Sequence, residues 1–165
     1  MRILVISDTH IPVVADKLPA IVIEEAKKSD FCLHAGDFIS DTVFYELSRI
    51  IKTYGVLGNM DESSLKGKLP EKQIIEFGSV RLGLIHGRGS PAMLMDYINA
   101  AFGQELNNLN MVVFGHTHNP LDKEINGKIY FNPGSCTDKV FAPYSSYGIL
   151  EIEKNTVKRR IVKIG

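Results

Sequence analysis

The run Ile3-Leu4-Val5-Ile6, halted at Ser7 and Asp8, is the feature that most restricts the fold. A short, unbroken apolar run of this kind reads as a strand buried on both faces, and such strands belong to parallel sheets covered by helices. The next segment agrees. Leu18, Ile21, Val22 and Ala26 recur at helical spacing among Glu24, Glu25, Lys27 and Lys28, which predicts an amphipathic helix of about four turns. Phe31 to Ala35 then returns as a strand. Ser40 or Asp41 is placed to cap a second helix with an apolar stripe at Phe44, Leu47 and Ile51, and Tyr54 to Leu57 supplies a third strand. This βαβαβ order implies parallel pairing.

From Gln73 the pattern changes. Ile74 to Phe77 and Val80 to Ile85 flank Gly78-Ser79, a hairpin signal, so antiparallel strands join the parallel ones. Ser90 followed by Pro91 predicts a helix start, with Leu94, Ile98 and Ala101 on its apolar face. Met111 to Phe114 is another buried strand. The remainder reads as strands turning at Asn126-Gly127 and near Lys154-Asn155 and ending with Val157 to Ile164. The expected architecture is α/β, with two packed sheets and helices outside, as one domain over residues 1–165.

Lys and Arg number 19, as do Asp and Glu, so no global field draws nucleic acid or an anionic membrane. No segment approaches the length of a membrane span, and the amino-terminal apolar run is too short for a secretory signal. Cys32 and Cys136 are too few for a disulfide framework and read as buried thiols, which points to a reducing, cytoplasmic setting.

The chemistry lies in the residues that follow the strands. Asp8, Asp37, Asn59, His86 and His116 each fall just beyond the carboxyl end of a predicted buried strand, where α/β sheets bind ligands. Asp8-x-His10 and His116-x-His118 place donors two residues apart, on the same side of an extended segment. The glycines before Asp37, Asn59 and His116 are read as sharp turns. Seven oxygen and imidazole donors exceed the three that a mononuclear catalytic site uses, so two ions suit them better. His34 lies within its strand and is read as a core or supporting residue. Lys158, Arg159, Arg160 and Lys163 split between the faces of a strand and read as a solvated edge.

The series Asp8-x-His10, Gly36-Asp37, Gly58-Asn59-x-Asp61, His86-Gly87 and Gly115-His116-x-His118 resembles, in order, the motifs of the calcineurin-like metallophosphoesterase superfamily. The short length and the Asn132-Pro133-Gly134-Ser135 segment are most similar to the compact YfcE-type phosphodiesterases, a branch that includes a retromer scaffold subunit. The resemblance implies a four-layer α/β/β/α sandwich of two mixed sheets, of the metallo-dependent phosphatase kind. It assigns Asp8, His10, Asp37 and His118 to one divalent ion and Asp37, Asn59, His86 and His116 to another, with Asp37 bridging. Manganese is the first choice of metal, ahead of nickel, iron, zinc or magnesium. The implied reaction is hydrolysis of a small phosphodiester by a metal-bridging hydroxide, with Asn59 and His86 in catalytic roles and Asn59 and Arg88 on the substrate.

Two departures qualify that picture. Met60 stands where many relatives have a histidine that protonates the leaving group, so little or no general-acid assistance is expected. Arg88 replaces a second common histidine and offers a forked cation to phosphate oxygens. The alternatives are a non-catalytic metal-binding scaffold like the retromer subunit, a phosphomonoesterase or a nuclease. Zero net charge and the lack of a basic, aromatic-interleaved groove argue against nucleic acid. A homo-oligomer stays open, since such relatives commonly self-associate.

Overall fold

The computed structural model describes residues 1–165. Strand β1 (Arg2–Ile6) lies between β2 (Phe31–His34), parallel to it, and β9 (Ser146–Glu153), antiparallel to it. β3 (Thr53–Gly55) continues the sheet beside β2, and β10 (Thr156–Lys163) forms the opposite edge against β9. Helices α1 (Ala20–Ala26) and α2 (Thr42–Ser48) make the two crossovers. In the second sheet β5 (Val80–Ile85), β6 (Met111–Val113) and β8 (Lys128–Asn132) are parallel. β4 (Lys72–Phe77) and β7 (Leu121–Ile125) flank them antiparallel. Helix α3 (Leu94–Phe102) and a 3-10 segment, Gly103–Asn108, connect β5 to β6.

Alternation along β1 explains the layering. Ile3 and Val5 pack with Leu33, Leu82, Met111 and Val113 between the sheets. Leu4 and Ile6 face the other way, among Val22, Ala26, Val43 and Leu47 beneath α1 and α2. The side chains of Ile3, Leu4, Val5 and Ile6 are fully buried, and each contributes roughly 1.5–3 kcal/mol by leaving water. A third cluster, with Ile98, Phe102, Val112 and Tyr130, joins α3 to the outer face of the second sheet. The molecule is therefore the α/β/β/α sandwich of two mixed sheets.

Several element boundaries differ from the sequence expectation, each for a local reason. Helix α1 has only 7 residues, because Pro19 is extended at φ −56° and ψ 139° and the helix begins after it. Leu18 kept its helical spacing because it is buried in the same core without being helical. Asp41 precedes α2 but makes no cap, since its carboxylate accepts from Lys68 Nζ at 3.0 Å. Ser90 and Pro91 form a turn closed by Met93 N–H to the Ser90 carbonyl at 3.0 Å, so α3 starts at Leu94. The third strand ends at Gly55 because the Leu57 N–H turns away to the Pro70 carbonyl at 2.9 Å. Cys32 and Cys136 are free and buried, and burial pushes the Cys136 thiol up to about 12. No helix is long and apolar enough to cross a membrane.

Candidate metal centre

Asp8 follows β1, Asp37 follows β2, Asn59 follows β3, His86 follows β5 and His116 follows β6, so the loops after five strands deliver these residues to one edge of the sandwich. The structure brings all seven sequence-predicted donors together there. His10 Nε2 stands 3.1 Å from His118 Nε2, and Asp8 Oδ1 is 3.4 Å from the latter. Asp37 Oδ2 lies 3.5 Å from His10 Nε2 and 3.3 Å from His86 Nε2. Asn59 Oδ1 is 3.2 Å from His86 Nε2 and 3.0 Å from His116 Nδ1. Two donor sets emerge, Asp8 with His10 and His118, and Asp8 with Asp37 and His86, each within 4.8 Å. Asp8 is common to both sets, whereas the resemblance gives the shared place to Asp37, which belongs to the second set alone and lies within 3.5 Å of His10 Nε2 and His86 Nε2. Asp8 Oδ1 is 3.9 Å from both His10 Nε2 and His86 Nε2.

Hydrogen bonds fix which imidazole nitrogen faces the centre. His86 donates Nδ1–H to the Ala35 carbonyl at 2.7 Å, which directs Nε2 inward. His116 is reversed, donating Nε2–H to the Gly89 carbonyl at 2.7 Å and presenting Nδ1. His118 donates Nδ1–H to Asp138 Oδ2, a carboxylate–histidine arrangement that makes Nε2 the better ligand.

Asp8 and Asp37 are buried, and their only ionic partners are histidines. Burial pushes the Asp8 carboxyl above its ordinary range, against the pull of His86 and His118. Burial acts the same way on Asp37, but the His86 hydrogen bond and charge outweigh it and hold Asp37 low. Burial would lower His86, yet the Asp37 hydrogen bond and the charges of Asp8 and Asp37 keep it at about 9. The pocket demands positive charge, from protons or metal ions, because buried carboxylates without a counter-charge are costly.

The backbone here is unusual. Asp8, His10, Asp37, His116 and His118 all have positive φ, between 46° and 71°, where non-glycine residues are uncommon. At roughly 1–2 kcal/mol each, such conformations persist only where the surroundings impose them. Gly58 and Gly115 matter for closeness, not for the turn expected from sequence, since neither has a positive φ. A Cβ on Gly58 would stand 2.0 Å from Asp37 Oδ1, and one on Gly115 would stand 1.9 Å from Ser7 Oγ.

The end of β8 and the segment after it hold that backbone in place. Asn132 donates Nδ2–H to the Gly115 carbonyl at 2.9 Å and accepts Gly134 N–H at 2.8 Å. Ser135 Oγ donates to the Asp8 carbonyl at 2.7 Å, and Thr137 Oγ1 donates to the Thr9 carbonyl at 2.8 Å. The His116 N–H in turn donates to both oxygens of Asp8 at 3.1 Å. Sequence reasoning missed Asn132, Ser135, Thr137 and Asp138 as supports. The Asn132-Pro133-Gly134-Ser135 segment carried the resemblance to the compact phosphodiesterases, but nothing in it announced burial or these hydrogen bonds.

The other singled-out residues are also placed. His34 is buried, stacks on Phe38 and bonds Thr9 Oγ1 at 3.1 Å, supporting the centre without joining it. Asp61 accepts Ile39 N–H at 2.9 Å and Gly58 N–H at 2.7 Å, which clamps the Asn59 loop to the Asp37 loop. Met60 lines the cavity over the centre with an exposed thioether. Arg88 is directed to Glu71 Oε1 at 3.4 Å and does not line that cavity, so the forked cation expected for substrate stands aside. The basic residues of β10 form the solvated edge, with Arg159 held by Asp122 and Lys158 by Glu153 at 3.3 Å.

Residues 1–155 match the calcineurin-like phosphoesterase superfamily domain. The chain belongs to that superfamily. It is 32% identical over 169 residues to a probable metallophosphoesterase of Methanothermobacter thermautotrophicus, covering 100% of this chain and 94% of that protein. A phosphodiesterase of Methanocaldococcus jannaschii is 28% identical, with 99% and 100% covered. Among solved structures, wild-type Vps29 of Entamoeba histolytica in complex with Zn2+ matches with a TM-score of 0.76 at 26% identity, over 99% of each chain. For a calcineurin-like phosphoesterase, the strand-end cluster is the candidate metal centre.

Proposed function

We propose that the protein is a phosphodiesterase that works with two divalent ions, manganese by preference, at the cluster around Asp8 and Asp37. The observation that carries this reading is the convergence of two buried carboxylates with imidazole nitrogens 3.3–3.9 Å away and no Lys or Arg paired to either. Asp8, His10, Asp37 and His118 would hold one ion. Asp37, Asn59, His86 and His116 would hold the other. This mixture of imidazole and oxygen suits manganese, iron, nickel or zinc better than calcium. When bound, such ions would acidify a water and neutralise phosphoryl charge.

The chain's own groups do the orienting. The Ala35 and Gly89 carbonyls and Asp138 fix the presented nitrogens of His86, His116 and His118. Asn59 keeps its oxygen toward the two histidines, which leaves its amide N–H groups for a phosphoryl oxygen. Met60 cannot deliver a proton, so leaving groups that depart readily as anions, such as aryl oxides, are favoured over alkoxides. The preferred substrate is a small diester rather than nucleic acid, because no Lys or Arg lines the cavity. The two free, buried thiols suit a cytoplasmic setting.

Elemental analysis of purified protein and of Asp37→Ala, read beside turnover of aryl phosphodiesters with added Mn2+, tests the proposal. The expected result is a fall in bound metal with loss of activity in the variant; unchanged metal content would overturn it. The similarity to Vps29 supports a second reading, a metal-binding interaction scaffold. A metal-saturated protein inactive on every diester would favour that reading instead.

A further inference from the structure

We propose that Val13, Val14, Met60, Val140 and Phe141 form a subsite for a flat, apolar ester substituent. This deepens the phosphodiesterase reading by naming the substrate class: a small monoanionic diester that carries an aromatic or similarly apolar group.

The five side chains line the same cavity as His10, Asp37, Asn59, His116 and His118, a space of about 360 Å³. That volume suits a small organic ligand. The cavity combines a polar, charge-bearing floor with apolar walls. Phe141 is 83% exposed, Val140 79%, Val13 75% and Met60 54%, so these side chains gain little from folding. Grouped apolar exposure of this kind marks a binding surface more often than an accident of composition.

Each wall is tied to a residue of the floor. The Val13–Val14 turn follows His10 and is closed by Val14 N–H to the His10 carbonyl at 2.8 Å. Met60 adjoins Asn59 and donates its N–H to Asp37 Oδ1 at 2.8 Å. Val140 and Phe141 donate their N–H groups, at 2.7 and 3.0 Å, to Oδ1 of Asp138, whose other oxygen holds His118. The apolar surfaces therefore stand at fixed offsets from the place where a phosphoryl group would sit. Such offsets are what reading a substituent requires. A polyphosphate or nucleic-acid strand would find no Lys or Arg on these walls.

Calorimetric titration of the Mn2+-loaded protein with diphenyl phosphate and with dimethyl phosphate tests the subsite, since the two share one anionic head and differ only in their substituents. Diphenyl phosphate is expected to bind about tenfold tighter or better, given the apolar area that one phenyl ring can bury. The double variant Val140→Ser and Phe141→Ser should lose most of that ratio while keeping its metal content and its affinity for dimethyl phosphate. Equal affinities in the unmodified protein, binding of neither compound, or a ratio that survives the double variant would each overturn the subsite. If equal affinities coincide with self-association that the double variant abolishes in sedimentation, the rim belongs to a second copy of the chain. Because binding is read without turnover, a clear preference in a protein that hydrolyses no diester would defeat the phosphodiesterase reading alone.

Discussion

Asp138 connects the candidate metal ligand His118 to the wall of the cavity with one carboxylate. Oδ2 accepts from His118 Nδ1, and Oδ1 accepts the N–H groups of Val140 and Phe141. Burial would raise its carboxyl, but the His118 hydrogen bond prevails and holds it low. Asp138→Asn keeps the shape and removes the charge that makes His118 a strong ligand. Metal affinity should fall about 10- to 100-fold, as for other partners of metal-bound histidines. Competitive titration against a fluorescent chelator would measure it, and an unchanged affinity would remove Asp138 from the centre's support. Met60 offers a gain-of-function counterpart. Met60→His places a proton donor beside Asn59, and general acids contribute about 10²–10⁴-fold where protonation limits the rate. The variant should raise turnover of alkyl diesters several-fold and of p-nitrophenyl diesters hardly at all. Equal gains on both classes would show that the imidazole acts on something other than the leaving group.

Among the elements, what could be read in the sequence and what could not divide along a physical line. Strands β1, β2, β5 and β6 were legible because burial on both faces leaves an apolar run, and Asp8, Asp37, His86 and His116 were legible because each follows such a strand by one to three residues. Helix ends were not. Asp41 looks like a cap but serves Lys68, and Leu18 has helical spacing without being helical, because long-range contacts decided both. The supporting role of the segment from Asn132 to Asp138 was hidden more completely, since its hydrogen bonds reach Asp8 and Thr9 across 127 and 128 positions of sequence. The loops it holds leave no room for adjustment. Gly115→Ala would drive a methyl group into Ser7 Oγ, 1.9 Å away, and disturb Asp8 behind it. Overpacking typically costs about 1–3 kcal/mol, and here the cost should come with weakened metal binding. Gly127→Ala, in an open turn at φ 74°, is the control: it strains a hairpin without touching the centre. Urea unfolding of both variants, with metal titration, separates the effects. Intact metal affinity in Gly115→Ala would show that the loops yield more readily than their contacts indicate.

For the molecule as a whole, three apolar clusters hold two sheets whose carboxyl edges carry a centre that is unfavourable by itself. The centre's five non-glycine residues with positive φ, Asp8, His10, Asp37, His116 and His118, at roughly 1–2 kcal/mol each, approach the ~5–15 kcal/mol net stability of a typical domain. The two buried carboxylates add their desolvation. A ligand that satisfies this centre and does not bind the unfolded chain must therefore stabilise the fold. At free metal about 100 times its dissociation constant, the gain is about 2.7 kcal/mol. For a chain of this size that corresponds to roughly 5–10 °C in Tm, taking about 2–4 °C per kcal/mol. Scanning calorimetry of chelator-treated protein, before and after addition of Mn2+, reads the shift directly. Asp37→Ala supplies the control, because it removes a buried carboxylate that faces both His10 and His86 while leaving the three cores untouched. A general effect of the salt would raise both proteins equally. Occupation of the centre raises the unmodified protein alone, and a Tm indifferent to Mn2+ in both would mean that the strained loops are held by the surrounding hydrogen bonds without any contribution from an ion.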